Sequence, residues 1–183
     1  MQRTRHWGCL CAAAAALQFA VAAHAVDGVA VEVGTGDEDS TRGGLAVQWD
    51  WHGELIGLGS WFLGGYWEVS ASYWDGEEGR SGNGSLAEIG VAPVFRIQPR
   101  APIGAITPYL EGAIGLHLFS ETEFGDRDFD IPFSFGDHLG AGLRFGSRGE
   151  FDVGYRYQHL SNASIGDSNP GINFHLLRLG YHF

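Results

Sequence analysis

Most of this chain is divided into eight short runs in which apolar and polar side chains alternate, and this pattern restricts the folds open to it. Successive side chains of a β-strand point to opposite faces, so alternation with a period of two predicts strands with one apolar face. Clusters of Gly, Asp, Ser, Asn and Pro separate the runs, as is typical of turns. The runs lie near residues 28–34, 44–52, 65–74, 87–97, 108–118, 133–145, 151–161 and 173–183.

Two architectures would produce eight such strands. In a soluble sandwich or lipocalin-like barrel the apolar face points inward, whereas in an outer-membrane barrel it meets lipid and the polar face fills the lumen. An even number of strands of about 9–11 residues fits a closed transmembrane barrel. The final strand ends in Tyr181 and Phe183, which resembles the aromatic C-terminal signature of bacterial outer-membrane proteins. We therefore predict an all-β chain that folds as an eight-stranded antiparallel transmembrane β-barrel of the bacterial outer membrane, with a soluble barrel as the alternative.

The polar faces support the membrane version because they combine small residues with charges of both signs, which would pair inside a narrow barrel. These charges are Glu68, Glu88, Arg96, Glu111, Arg144, Asp152, Arg156 and Arg178. With the N-terminus on the periplasmic side, the outer connections are predicted near residues 35–43, 75–85, 120–132 and 162–172. Segment 53–64 fits either an extended strand or an interfacial segment.

Residues 1–25 resemble a cleaved secretory signal peptide. Arg3 and Arg5 give a positive start, an apolar run follows, and the small-residue motif ending at Ala25 is a typical cleavage site. The apolar run is shorter than the roughly 20 residues that a transmembrane helix needs. The exported protein would then be a single β-barrel domain of residues 26–183.

Composition excludes several classes of function. Without residues 1–25 the chain has nine arginines, no lysine and 22 acidic residues, which is a poor balance for binding nucleic acid. Both cysteines, Cys9 and Cys11, lie in the predicted leader, so no disulfide or thiol site is expected. Asp126, Asp128 and Asp130 lack the spacing of a calcium loop. No cofactor and no metal site are predicted.

The seventh run, residues 151–161, ends in a potential base and a potential nucleophile. His159 and Ser161 fall on the same face as three aromatic residues, and the backbone spacing between them would be roughly 6.5–7 Å. An imidazole nitrogen at that spacing can reach a serine hydroxyl and act as its base. Such a pair suits a lipid-facing wall whose substrate is itself a lipid. The alternative is that both side chains only meet the lipid headgroup region.

The sequence around this pair resembles a known family. His159-Leu160-Ser161-Asn162-Ala163, followed by Asn169-Pro170-Gly171-Ile172, is similar to the C-terminal motif of the lipid A 3-O-deacylases of the PagL type. These are eight-stranded outer-membrane barrels that hydrolyse an acyl ester on lipopolysaccharide. The resemblance implies that His159 is the base and Ser161 the nucleophile. It also implies that the backbone around Asn162 and Ser164 stabilises the oxyanion.

One position departs from that family, because Asn173 stands where the best-described members of the family place a glutamate that orients the histidine. An amide oxygen can hold an imidazole, but it cannot supply negative charge to the imidazolium. Asp137 is an alternative source of the acid. If the turn between the sixth and seventh runs is centred near Ser147, antiparallel pairing puts Asp137 opposite His159. Both Asn173 and Asp137 therefore remain candidates for the third catalytic residue.

The function predicted from these observations is hydrolysis of an ester-linked acyl chain of lipid A, expected at the 3-O position, by a serine esterase in the outer membrane. The expected partners are lipopolysaccharide, which is the substrate, and the surrounding outer-membrane lipid. Whether the chain forms a homodimer is left open. Two other functions remain open, one without catalysis and one with a different substrate. One is a non-catalytic barrel with a structural or adhesive role, and the other is an outer-membrane phospholipase.

Overall fold

The computed structural model describes residues 25–79 and 82–183. The predicted signal peptide, residues 1–25, lies outside the described residues except for Ala25, and its cleavage stays a prediction. Within these two ranges, no helix has the length and hydropathy needed to cross a membrane.

Eight long strands form one closed antiparallel barrel, which confirms the predicted fold. Over the described residues the strands are β1 (Gly28–Gly36), β2 (Thr41–Asp50), β3 (Ile56–Leu58), β4 (Trp61–Asp75), β5 (Ser85–Pro99), β6 (Ile106–Phe119), β7 (Glu123–Phe124), β8 (Arg127–Asp128), β9 (Phe133–Phe145), β10 (Phe151–Ser161) and β11 (Ile172–His182). Each barrel strand pairs with the next along the chain, and β1 pairs with β11, so the barrel is closed. The short strand β3 folds back on the start of β4, and β7 pairs with β8 in a loop hairpin.

The outer wall of the barrel is apolar. Leu45, Ile114 and Leu139 expose 65, 68 and 73% of their surface, and all eight barrel strands carry at least one exposed large apolar side chain on this wall. A continuous apolar surface of this extent is stable only against another apolar phase, which for a closed barrel is the hydrocarbon of a membrane. The alternative of a soluble barrel, with its apolar face inward, is therefore wrong.

The middle of the lumen holds a network of paired charges, as predicted from the polar faces. Arg156 lies within 2.6 to 2.8 Å of carboxylate oxygens of Glu32, Glu68 and Glu111. Arg178 shares two of these carboxylates. Buried charges are tolerated when each one is paired, and here each guanidinium bridges carboxylates that come from different strands.

An aromatic and aliphatic cluster fills one end of the lumen, and it was not predicted from the sequence. Its members are fully or almost fully buried, and Phe124 and Phe129 reach it from the β7–β8 hairpin and the residue after it. The Trp74 and Phe174 ring centroids are 4.7 Å apart. We call this group the aromatic plug: Trp74, Leu86, Phe119, Phe124, Phe129, Leu160, Ile172, Phe174 and Leu176.

The plug lies at the end of the barrel that carries connections 37–40, 76–84, 120–132 and 162–171, which we call the loop end. The first of these connections is shorter than predicted, because β1 and β2 extend to Gly36 and Thr41. Its backbone closes with a hydrogen bond of 2.9 Å from Gly36 N–H to Ser40 O. This tight turn holds residue 37 against β11.

Candidate active site

His159 and Ser161 are the last outward-facing residues of β10, at the loop end. Both are half-buried, whereas Leu160 between them is fully buried in the aromatic plug. Anchoring Leu160 inside the barrel places its two neighbours on the outside wall, as the alternation predicted. Within the described residues, neither the Ser161 hydroxyl nor Nε2 of His159 makes a hydrogen bond, so both remain available to a substrate.

Asn173 on β11 holds the imidazole of His159. The two residues are paired across the strands, and Nδ1 of His159 lies 2.8 Å from Oδ1 of Asn173. The amide orientation follows from its other end, because Nδ2 of Asn173 donates a hydrogen bond of 2.9 Å to a carboxylate oxygen of Asp37. An amide oxygen only accepts, so Nδ1 of His159 is the donor and Nε2 carries the free lone pair. This is the tautomer that a general base needs.

Asp37 is a member of this constellation that was not predicted from the sequence. It follows β1 directly, and its backbone N–H donates to Asn173 O at 3.0 Å. Its Oδ2 atom accepts from the Asn173 backbone N–H at 3.2 Å as well as from the side-chain amide. The alternation of β1 continues to this residue, and Gly36 pairs with Phe174, so the register brings Asp37 to Asn173. The sequence signal is hidden because residue 37 lies in a segment predicted to be an exposed loop.

Arg127 ties the neighbouring loops together. Its guanidinium donates to Glu38 at 3.0 Å and to Asp37 at 3.4 Å. It also donates to the carbonyl oxygens of Pro170, at 3.2 Å, and of Gly171. Loop 37–40 and loop 162–171 are thus fixed relative to each other next to the imidazole.

Gly171 is required where it packs against His159. Its φ of +61° is unfavourable for other residues, and a Cβ atom there would lie 2.8 Å from Cε1 of His159. A side chain at this position would therefore push the imidazole away from its place between Asn173 and the substrate.

Asp137 lies on the opposite side of His159 from Asn173. The two Cα atoms are paired between β9 and β10, which confirms the predicted register. The Asp137 carboxylate is exposed and makes no hydrogen bond within the described part of the chain. It borders an open apolar groove on the outer wall, formed with Phe95, Ile114 and Leu139. Of the two candidates, Asn173 contacts the imidazole and Asp137 stands beside it.

Asn162 and Ser164, predicted as the oxyanion region, organise the loop that follows Ser161. The Asn162 backbone N–H donates to Oδ1 of Asn169 at 2.8 Å, and the Ser164 N–H donates to Oδ1 of Asn162 at 2.9 Å. The buried Asn162 amide also donates to the carbonyl oxygens of Phe129 and Ser168. Both backbone N–H groups are therefore already engaged, and their role at an oxyanion stays a prediction. Asn169 is a further residue of this loop for which the sequence suggested no role.

The described residues contain no cluster of three or more His, Cys, Asp or Glu side chains suited to a metal ion. The groups that the structure brings together at the candidate site are the Ser161 hydroxyl, the His159 imidazole in a defined tautomer, and the Asn173 amide hydrogen-bonded to the Asp37 carboxylate. Such groups are suited to acyl transfer through a serine nucleophile.

Comparison with known proteins identifies the family. Residues 41–182 match the family model of the lipid A 3-O-deacylases, PagL. The chain belongs to this family. It is 34% identical over 149 residues to lipid A deacylase PagL of Pseudomonas aeruginosa, covering 81% of this chain and 82% of that protein. It is also 34% identical over 128 residues to lipid A deacylase PagL of Bordetella bronchiseptica, covering 66% of this chain and 67% of that protein.

The fold agrees with this membership. The crystal structure of the outer membrane enzyme PagL superposes with a TM-score of 0.75 at 29% identity, covering 85% of this chain and 99% of that one. The predicted family, the enzyme class of ester hydrolase and the outer-membrane location are confirmed. Asn173, the residue in contact with the imidazole, is also the one at which this chain departs from the expected PagL motif.

Proposed function

We propose that this PagL-family enzyme removes the ester-linked acyl chain at the 3-O position of lipid A in lipopolysaccharide. Family membership supports lipid A as the substrate and deacylation as the reaction. The observation that carries the serine mechanism is the unpaired Nε2 of His159, two residues from the unpaired hydroxyl of Ser161 on the lipid-facing wall.

In the proposed first step, Nε2 of His159 accepts the Ser161 proton while Oγ attacks the ester carbonyl carbon. The tetrahedral intermediate then collapses: the bond to the sugar oxygen breaks, and the sugar hydroxyl leaves with the proton from His159. An acyl ester of Ser161 remains. In the second step water attacks this ester with His159 again as base, which releases a fatty acid and restores the hydroxyl.

The location of the pair matches the geometry of a membrane lipid. The ester bonds of lipid A lie at the boundary between sugar headgroup and acyl chains, and His159 and Ser161 lie where the apolar wall meets the loop end. Tyr155 and Tyr157 continue the same face of β10 towards the membrane centre, so an acyl chain can lie along them. The groove bordered by Asp137 offers a second apolar path on the other side of the pair.

A lipid assay tests this function against its alternatives. Purified protein is incubated with lipopolysaccharide, and the lipid A is examined by mass spectrometry for loss of one hydroxyacyl chain. Lipid A that already lacks its 3-O chain is the matched control and should release nothing further. Release from glycerophospholipid vesicles instead would identify a phospholipase, and no release from either lipid would support a non-catalytic barrel.

A further inference from the structure

We infer that Asp37 is a positioning residue that supplies, through Asn173, the negative charge that the expected family motif draws from a glutamate. This inference rests on the proposed function and assigns a role to a residue outside the motif. It explains how a site with a neutral residue next to the histidine remains suited to base catalysis.

The need for a carboxylate follows from the proton that His159 accepts. When the imidazole becomes an imidazolium, a positive charge develops beside Asn173, and an amide alone offers only its dipole. A nearby carboxylate lowers the free energy of that charged state. In the described residues, the carboxylate connected to the imidazole through hydrogen bonds is that of Asp37.

The geometry forms a continuous relay from carboxylate to base. Oδ2 of Asp37 lies 2.9 Å from Nδ2 of Asn173, and Oδ1 of the same amide lies 2.8 Å from Nδ1 of His159. Hydrogen bonds in such a chain polarise one another, so the carboxylate makes the amide oxygen a stronger acceptor. It also prevents the amide from turning its NH₂ group towards the imidazole, which would place the proton on the wrong nitrogen.

The turn around Asp37 holds this carboxylate in place. The Asn173 backbone N–H donates to it at 3.2 Å, and the Asp37 backbone N–H returns a hydrogen bond to Asn173 O. Arg127 approaches Asp37 at 3.4 Å but donates at 3.0 Å to Glu38. Asp37 and Glu38 together carry two negative charges, and Arg127 carries one positive charge. The net charge beside Asn173 is therefore negative, so Arg127 does not neutralise the effect of Asp37 on the imidazole.

Asp137, unlike Asp37, has no hydrogen-bonded connection to Nδ1 of His159 within the described residues. Its carboxylate is separated from the relay by the imidazole itself, and it faces an apolar groove rather than Asn173. Nδ1 of His159 is already occupied by the Asn173 amide, so Asp37 and not Asp137 is connected to the atom that must stay protonated.

The test uses full-length enzyme with the substitutions Asp37→Ala, Asn173→Glu and both together, with Asp39→Asn as the matched control. Asp39 is an exposed acid of the same turn with a φ of +48°, and asparagine tolerates that backbone conformation. Hydrogen bonds to charged groups are stronger than those between neutral groups, so Asp37→Ala should lower kcat by about 10- to 100-fold. KM should change by less than about threefold, since the relay does not touch the substrate.

Rescue distinguishes positioning from a merely structural role. In the double variant, Asn173→Glu places a carboxylate directly on Nδ1 of His159 and removes the need for Asp37, so most of the lost kcat should return. Asp39→Asn should behave as wild type. A folded Asp37→Ala enzyme with wild-type kcat, or a double variant no faster than Asp37→Ala, would overturn the inference.

A measurement that needs no turnover separates this inference from the proposed function. The Nδ1 proton of His159 is followed by ¹⁵N-edited nuclear magnetic resonance of the protein in lipid or detergent. We expect its resonance in the wild type and in Asp39→Asn, and its loss in Asp37→Ala through exchange between tautomers. Failure of lipid A hydrolysis by the wild type would reject the function alone, whereas an unchanged resonance in Asp37→Ala would reject the relay alone.

Discussion

Nδ1 of His159 lies 2.8 Å from Oδ1 of Asn173, and this contact determines which imidazole nitrogen carries the proton. Because the amide oxygen can only accept, the proton is on Nδ1 and the lone pair on Nε2. Ser161 is two residues further along the same face of β10. The strand pairing between β10 and β11 therefore sets the tautomer of the imidazole before any substrate arrives.

Removing either member of the proposed pair should abolish hydrolysis. We expect Ser161→Ala and His159→Asn each to lower kcat by at least about 10⁴-fold, because both residues act in the same step. Mass spectrometry of lipid A measures the loss. Ser147→Ala, in the turn at the opposite end of the barrel, is the control and should keep full activity. Normal turnover in a folded Ser161→Ala enzyme would rule out the serine mechanism.

The two candidates for the third residue should differ in effect. Asn173→Ala removes the partner of Nδ1 and frees the imidazole to rotate, so we expect kcat to fall by about 100-fold or more. Asp137→Asn keeps the shape of a side chain that makes no hydrogen bond in the described structure, and we expect a change of less than about threefold. Initial rates of fatty acid release at saturating substrate compare the two. A larger loss in Asp137→Asn would identify Asp137 as the orienting acid.

A methyl group at Gly171 should disturb the base directly. In Gly171→Ala the new Cβ would lie 2.8 Å from Cε1 of His159, so the ring must move and kcat should fall by at least about tenfold. Gly104→Ala is a matched control, since its φ of +67° carries the same backbone cost but a Cβ there meets nothing within 4 Å. Equal activities for the two variants, measured per folded molecule, would show that the imidazole tolerates the displacement.

Removing a charge from the network in the lumen should lower the free energy of unfolding. Arg156→Met leaves Glu32, Glu68 and Glu111 short of a counter-charge, and breaking a buried pair in this way costs about 3–5 kcal/mol. Arg148→Met, in a short exposed turn, should change the free energy of unfolding by less than about 0.5 kcal/mol. Denaturant unfolding in lipid vesicles, followed by tryptophan fluorescence, compares them. Equal stabilities would mean that the remaining guanidinium groups neutralise all three carboxylates.

The sequence predicts the barrel well because alternation is a local property of each strand. The faces of β9 and β10 follow from counting residues, and the short turn after Phe145 sets their register, which places Asp137 opposite His159. The site pair was predictable for the same reason: His159 and Ser161 lie on one strand, so their shared face needs no tertiary information.

Two features could not be predicted from the sequence. The contact of Asp37 with Asn173 depends on where β1 ends, and the aromatic plug depends on the height of its residues along the barrel axis. Asp37 joins the site only because β1 extends to Gly36 and pairs with β11, and that extension is fixed by backbone hydrogen bonds between distant segments. The inward face was predicted to be mostly polar. Its apolar members, such as Leu160 and Phe174, cluster at one height, where the β7–β8 hairpin adds further aromatic rings.

The aromatic plug also has a consequence for how water would reach the proposed acyl-serine. Trp74, Phe124 and Phe174 are fully buried, and the rings of Phe124 and Phe174 both pack against Trp74, so apolar side chains fill the lumen at this height, while Ser161 lies on the outside wall. In the proposed mechanism, the water that cleaves the acyl-serine would therefore arrive from the hydrated sugar layer outside the bilayer. On this mechanism only an acyl-serine close to that layer can be hydrolysed, so the depth of Ser161 in the membrane would determine which ester bond is cut.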